Sequence, residues 1–372
     1  MTGSKHDIRS VASNFRIDGS FVEGVPYGSG HINDTYVVVY DQNGTRVRYI
    51  VQRINHNVFK NPAALQENVE RVTRHMFNKL VEEGVKDVSR RTLTLIPALD
   101  DKSYFIDPDG NFWRTYVFIE GASTYDQIET TRQAYEAAKV YGRFQELVCD
   151  LPGPRLFETI PGFHDTRSRF DAFRKAADED SHGRAAGVMA EIDYALGSEW
   201  IVDVLLDLQK SGDIPERITH NDTKLNNVMI DDETAEGLCV IDLDTVMPGL
   251  ALYDFGDMVR SGARSAPEDE PDLGKVVMRM DMLEALARGY LASAGAMLND
   301  AEKDHLVFSA TLITFEQGLR FLTDCLQGDV YYKTHREGHN LDRCRVQFRM
   351  VESMAEQDDE MRRMVDEIRT GL

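Results

Sequence analysis

Residues 218–245 read I-T-H-N-D-T-K-L-N-N-V-M-I-D-D-E-T-A-E-G-L-C-V-I-D-L-D-T, and the reading of this stretch decides the fold. Two short apolar runs, Val228-Met229-Ile230 and Leu238-Cys239-Val240-Ile241, flank a polar segment from Asp231 to Gly237. That segment ends in glycine and suits a hairpin connection, so the runs predict a small antiparallel ribbon. Symmetric pairing about the loop sets Asn227, just before the first strand, beside Asp242, just after the second. An amide oxygen next to a carboxylate makes an oxygen-only site of the kind Mg2+ prefers, because that ion keeps several waters and leans on substrate phosphates.

Upstream, His220, Asp222 and Asn227 spell H-x-D-x-x-x-x-N. Followed by a strand pair and another Asp, this is the order in which kinases place base, metal-binding amide and metal-binding carboxylate. Singly, each residue suits an ordinary role: Asp222 and Asn227 cap turns, and Asp242 ends a strand. The ordered set points to phosphoryl transfer, with Asp222 as the catalytic carboxylate and Asn227 and Asp242 on the metal. Asp244, two residues on, faces the same side of an extended backbone and is a candidate second carboxylate ligand. Asp254-Phe255-Gly256 spells D-F-G literally, but it follows Pro248 and Gly249 with no hairpin to return it to Asn227. Asp254 and Asp257 are therefore expected to cap the following helix or brace the catalytic loop.

A chain of 372 residues, 42% hydrophobic, can build two domains or one bilobal enzyme with a sizeable core. Its 42 Lys+Arg against 63 Asp+Glu give a net charge of -21. Such a surface repels phosphate backbones and anionic membranes, so neither nucleic acid nor lipid is an expected partner. An acidic protein that holds ATP needs Mg2+ to neutralise the triphosphate. The polar stretch from Met1 to Ser10 has no secretory or transit pattern, and no apolar run has the length of a membrane span. The four cysteines, Cys149, Cys239, Cys325 and Cys344, are widely spaced and read as free thiols, which suits a cytoplasmic protein.

The first third alternates as strands do. Phe21 to Val25 and Tyr36 to Tyr40 flank P-Y-G-S-G-H-I-N, where Gly28, Ser29 and Gly30 let backbone N–H groups approach a phosphate. An ordinary hairpin turn fits this loop equally, but its place ahead of the H-x-D set favours the nucleotide. Arg46 to Ile54 is the next strand, with Gln52 where a protein kinase carries its phosphate-pairing Lys. Either the phosphates are held without that Lys or Arg53 substitutes. Pro62 to Glu82 is a helix by its three- and four-residue apolar spacing. Thr92 to Pro97, Ser103 to Ile106 and Phe112 to Phe118 complete a mostly antiparallel sheet of five or six strands. Tyr116 to Gly121, with Ile119 at its centre, reads as a connector whose backbone meets adenine.

From Thr130 onward the spacing is helical. Phe163 to Ala177, Glu191 to Leu208, Val276 to Leu298, Glu302 to Gln327 and Leu341 to Ile368 are expected helices. The fold class is thus α+β, with a nucleotide-binding lobe over 1–118 and a helical lobe over 119–372. Arg320 lies between apolar neighbours, a setting in which arginine usually snorkels to solvent. It is a binding residue only if its helix lines the acceptor site.

The chain resembles the aminoglycoside phosphotransferase and choline kinase superfamily, and more closely the N-acetylhexosamine 1-kinases. The marks are Y-G-S-G-H-I-N-D-T-Y at 27–36, F-H-D-T at 163–166, T-H-N-D-T-K-L-N-N at 219–227, I-D-L-D-T-V-M-P-G at 241–249 and G-L-R-F-L at 318–322. The resemblance implies a bilobal protein-kinase-like monomer. It would bind ATP and Mg2+ and pass the γ-phosphate to the anomeric hydroxyl of N-acetylglucosamine or N-acetylgalactosamine. It also implies that His31, Arg320 and Tyr331 contact the sugar, together with Asp222. Ser261 stands where the nearest relatives carry a large aromatic, so another hexose, an amino alcohol or an aminoglycoside is the alternative acceptor.

Overall fold

The computed structural model describes residues 6–28 and 32–371. Period-two burial builds its first sheet. Strands β1 (Ser20–Pro26), β2 (Asp34–Gln42), β3 (Thr45–Ile54), β4 (Leu95–Ile96), β5 (Phe105–Ile106) and β6 (Phe112–Val117) run antiparallel to their neighbours, in the order β1-β2-β3-β6-β4 with β5 on β6. Tyr36, Val38 and Tyr40 of β2, Tyr49 and Val51 of β3, and Trp113 of β6 share a core with Ile8 and Val11 of helix α1 (Ile8–Ala12). The other face of the pleat carries polar residues, Thr35 and Gln52 among them. Gln52 stands directly opposite Arg114 in the β3–β6 register.

Helix α2 (Pro62–Glu82) has the bounds its spacing predicts. The Asn61 side chain accepts from Ala64 N, and Pro62 at the first helical position has no N–H to satisfy. Leu65, Val69, Val72, Met76 and Leu80 are buried along one stripe. Inside that stripe Asn68 donates to Phe157 O at 2.7 Å and Val246 O at 3.0 Å, which ties two distant segments to the helix. A short helix, α3 (Val88–Arg91), precedes β4.

One further strand shows where the ribbon belongs. β7 (Ala122–Ser123) precedes β8 (Arg217–Thr219), and the expected hairpin is β9 (Val228–Asp231) with β10 (Gly237–Val240), followed by β11 (Met247–Gly249). β7 adds to the ribbon through Ala122↔Asp231 and Ser123↔Ile230, giving the order β10-β9-β7. One compact unit is accordingly Met1–Ser123, Asp150–Pro161 and Met229–Met247. The other is Thr124–Cys149, Gly162–Val228 and Pro248–Leu372.

The second unit is helical: α4 (Thr131–Val148), α5 (Thr166–Glu179), α6 (Met189–Gly197), α7 (Val204–Ser211), α8 (Ala251–Gly262), α9 (Met280–Ala294), α10 (Asp300–Asp304), α11 (Leu306–Leu326), α12 (His339–Glu356) and α13 (Asp358–Thr370). The helix expected over Glu191 to Leu208 is broken after Gly197 by a 3-10 turn at Glu199–Ile201. The one expected over Leu341 to Ile368 breaks at Gln357, whose side-chain amide bonds Met278 O and Ser353 O instead of facing solvent. No helix among the described residues is long and apolar enough to cross a membrane.

Helices α4 and α9 lie close because glycines face each other's backbone. A Cβ on Gly289 would come within 2.1 Å of Tyr135 O, and one on Gly142 within 2.7 Å of Tyr290 O. Gly289→Ala is therefore expected to force the helices apart and to cost about 1–3 kcal/mol. A thermal melt of that variant indistinguishable from the parent would show that the crossing relaxes freely.

Candidate active site

The loop that carries Asp222, the candidate catalytic loop, follows β8. Asn221 takes a left-handed backbone (φ 63°), a conformation asparagine tolerates better than most residues, and the chain then presents Asp222. His220 is fully buried, edge-on to Tyr141 at 5.4 Å and Phe144 at 5.9 Å from α4. It is packed into the core, and Tyr141 also donates to Lys224 O at 2.7 Å.

The literal D-F-G lies inside α8 and clamps this loop from beneath. Asp254, fully buried, accepts from His220 N (2.9 Å), Asn221 N (2.7 Å) and the Gln145 side chain (2.7 Å). Burial lifts its carboxyl above the ordinary range even though His220 and these donors pull it down. Asp257 accepts from Thr223 N at 2.8 Å and pairs with Arg260 at 2.8 Å. Burial raises its carboxyl, but Arg260 and Lys224 outweigh burial and hold it below the usual value. The pair braces the loop, one of the two roles the sequence allows.

On the loop's outer side Asp222 is half-buried. Asn227 Nδ2 donates to Asp222 O at 2.9 Å and to its Oδ2 at 3.1 Å, and Lys224 Nζ lies 2.7 Å from Oδ1. Burial lowers the Lys224 ammonium, but the Asp222 carboxylate more than restores it and the net direction is upward. The H-x-D-x-x-x-x-N spacing thus closes a ring of Asp222, Lys224 and Asn227.

A second cluster in the same unit accounts for the F-H-D-T block. Phe163 lies under the Arg320 guanidinium at 5.1 Å, His164 Nδ1 and Thr166 Oγ1 grip Glu316 at 2.9 and 2.8 Å, and Asp165 caps α5. Arg320 stacks on Tyr332 at 5.8 Å and donates to Gln317 Oε1 at 3.3 Å. The loop bearing Tyr332 is fixed by the Asp324 carboxylate, which accepts from the backbone N–H groups of Val330, Tyr331 and Tyr332 at 2.8–2.9 Å. Arg169 joins the cluster with its Nε buried and unpartnered. Burial and the neighbouring Arg320 charge hold its guanidinium below the usual value. Among the described residues neither arginine has an ion pair. The cluster reaches α8, since His164 packs on Tyr253 at 4.9 Å, next to Asp254.

Glu316 supplies a pH test. Burial raises its carboxyl, but His164 and the hydrogen bonds lower it further, so the folded value lies below the unfolded one. Its contribution is fully present above about pH 4.3, and acidification through the folded value removes it. The stability deficit of Glu316→Gln is therefore largest near neutrality and shrinks on acidification. A deficit that stays constant from neutral to acid pH contradicts this.

In the first unit, Asp242 is exposed and left-handed (φ 59°), a strained setting for a residue with a Cβ and one often retained where a side chain must be aimed. Asp244 is 2% exposed, with Oδ1 2.5 Å from Arg114 Nη2 and Oδ2 accepting from Asn33 at 2.7 Å. Arg53 donates to Asp34 at 2.6 Å and to Asn111 at 3.4 Å. Gly28 has φ 80° and open space beside it, and Ile119 is buried just beyond β6. Ser29, Gly30 and His31 lie outside the described residues. Lys224, Arg169, Asp324 and Arg114 escaped the sequence reading. Arg114 had a usable signal, a charge in the middle of the apolar strand F-W-R-T-Y-V. Among the described residues no group of three or more His, Cys, Asp or Glu could hold a metal ion. Amide and carboxylate oxygens are of the donor type that Mg2+ takes alongside phosphate and water.

A model described as the phosphotransferase enzyme family, APH, matches residues 23–299. The chain belongs to that family. Among solved structures, this phosphotransferase is similar to choline kinase from Cryptosporidium parvum Iowa II, at 15% identity and TM-score 0.57 over 95% of this chain and 96% of that one. It is also similar to a spectinomycin phosphotransferase bound to ADP and spectinomycin, at 14% identity and TM-score 0.54 over 95% and 97%. An aminoglycoside phosphotransferase from Alicyclobacillus acidocaldarius subsp. acidocaldarius DSM 446 gives 13% identity and TM-score 0.52 over 100% and 97%. These likenesses bear out the expected α+β class, an antiparallel sheet unit with a larger helical unit.

Proposed function

We propose that this phosphotransferase moves the γ-phosphate of ATP to the anomeric C1 hydroxyl of an N-acetylhexosamine, with N-acetylglucosamine and N-acetylgalactosamine as the acceptors to try first. The observation that carries the reading is the ring of Asp222, Lys224 and Asn227, held by buried carboxylates from α8. Asp222 orients the sugar hydroxyl and takes its proton as the oxygen–phosphorus bond forms. The bond from the γ-phosphorus to the bridging oxygen breaks, and ADP leaves. An anomeric hydroxyl is more acidic than an ordinary alcohol, so a carboxylate base suffices. Asn227 and Asp242 are the residues we assign to Mg2+, which supplies charge neutralisation at the phosphate oxygens when bound. Rate enhancement would come chiefly from positioning and charge stabilisation.

Charge supports this acceptor class. We assign the acceptor to the cluster of Phe163, Arg169, Arg320 and Tyr331. Among the described residues the carboxylate acting on both guanidinium groups is Glu316, already bonded to His164 and Thr166, while Asp324 is taken up by three backbone N–H groups. A choline-like or aminoglycoside cation would be repelled, whereas hydroxyl and acetamido oxygens find donors. A panel of N-acetylhexosamines, plain hexoses, choline, ethanolamine and aminoglycosides, with ADP release as readout, tests this. Turnover on N-acetylhexosamines is expected, and turnover confined to the cationic acceptors contradicts it. Arg320→Ala is expected to raise the sugar KM about tenfold or more, as losing a charged hydrogen bond does, with the ATP KM unchanged. Equal effects on both remove Arg320 from the acceptor site.

A further inference from the structure

Gln52 occupies the strand position at which a kinase carries its phosphate-pairing lysine, and the chain supplies a cation to the same place from the neighbouring strand. Arg114 is 1% exposed. Its Nε and Nη2 donate to Gln52 Oε1 at 3.0 and 2.6 Å, and Nη2 also lies 2.5 Å from Asp244 Oδ1. Gln52 is held in turn by donating to Thr35 Oγ1 at 2.8 Å. The third nitrogen, Nη1, is buried and has no hydrogen-bond partner among the described residues. Leaving a charged donor unmatched in the interior is costly, so the group calls for an acceptor that the described residues do not provide. The guanidinium also senses Asp242, the residue assigned to the metal. Arg53, the other candidate, is spent on Asp34 and Asn111.

We propose that Arg114, aimed by Gln52 and Asp244, is the nucleotide-phosphate contact of the first unit, with Nη1 donating to a phosphate oxygen, and that Asp244 acts by holding Arg114. This rests on the reading that the protein binds ATP. A guanidinium fixed by two partners keeps one directed donor, so the Gln52–Arg114 pair does by cross-strand geometry what a single lysine does by reach.

Calorimetric titration of ADP and of adenosine, both in EDTA, tests the contact without metal and without turnover. Arg114→Met combined with Asp244→Asn removes both charges together, so that no lone charge is left buried. The preference for ADP over adenosine is expected to fall about 10- to 100-fold, while adenosine affinity stays within about twofold of the parent. Exchanging the pair, Gln52→Lys with Arg114→Gln, returns the cation to β3 and is expected to keep most of the ADP preference. An unchanged preference in the charge-removed variant overturns the proposal and leaves Arg114 as a structural partner of Asp244. A parent protein that binds neither ligand overturns the ATP reading and this proposal with it.

Discussion

Asp222→Asn is expected to lower kcat roughly 10^3-fold, within the usual range for removing a general base, while nucleotide affinity and folding stay near those of the parent. The amide keeps the volume and one oxygen for the Asn227 donor, but it cannot accept the hydroxyl proton. It also loses the Lys224 partner, 2.7 Å away. Steady-state rates together with a nucleotide titration separate the two effects. Turnover within about tenfold of the parent would deny Asp222 the role of base, whatever happened to binding.

Asp254→Ala is expected to be the most destabilising single change around the site. Three N–H donors, from His220, Asn221 and Gln145, converge on this one buried carboxylate. Alanine leaves each without an acceptor in a place water does not reach. At about 1–3 kcal/mol for each orphaned donor the loss is on the order of 3 kcal/mol or more. Part of the loss is local, because two of the donors are backbone groups of the catalytic loop, so kcat falls as well. Asp254→Asn keeps one acceptor oxygen and is expected to lie between parent and alanine. Chemical denaturation of the three proteins gives the order, and an alanine variant as stable as the parent would show that the loop is held by other contacts.

Sequence periodicity carried much of the fold because local burial follows it. The stripe Leu65, Val69, Val72, Met76 and Leu80 gave α2 with its bounds, and the hairpin after Asn227 is where two apolar runs around a polar loop put it. Breaks in the later helices were not legible. Gln357 has nothing in its own neighbourhood to stop a helix, and its side chain is drawn to Met278 O, far away in sequence. The catalytic loop was legible for a different reason. H-x-D-x-x-x-x-N is a short-range pattern whose members meet within one turn of chain, as Asn227 and Asp222 do.

Long-range polar partners are what pattern reading loses. Arg114 and Asp244 come from strands and turns widely separated in the chain, and nothing beside either residue announces the other. Asp324 carries no signal of its own in the sequence, and its role lies in the three backbone donors of the Tyr331 loop that converge on it. Gly142 and Gly289 were silent too, because close helix approach depends on which backbone each faces.

Phosphorus NMR of the product formed from N-acetylglucosamine and Mg-ATP tests the central claim most directly. The account predicts ADP together with a single new phosphomonoester whose phosphorus couples to the anomeric proton. A product phosphorylated at another carbon, or no sugar phosphate where a cationic alcohol is phosphorylated under the same conditions, would contradict it.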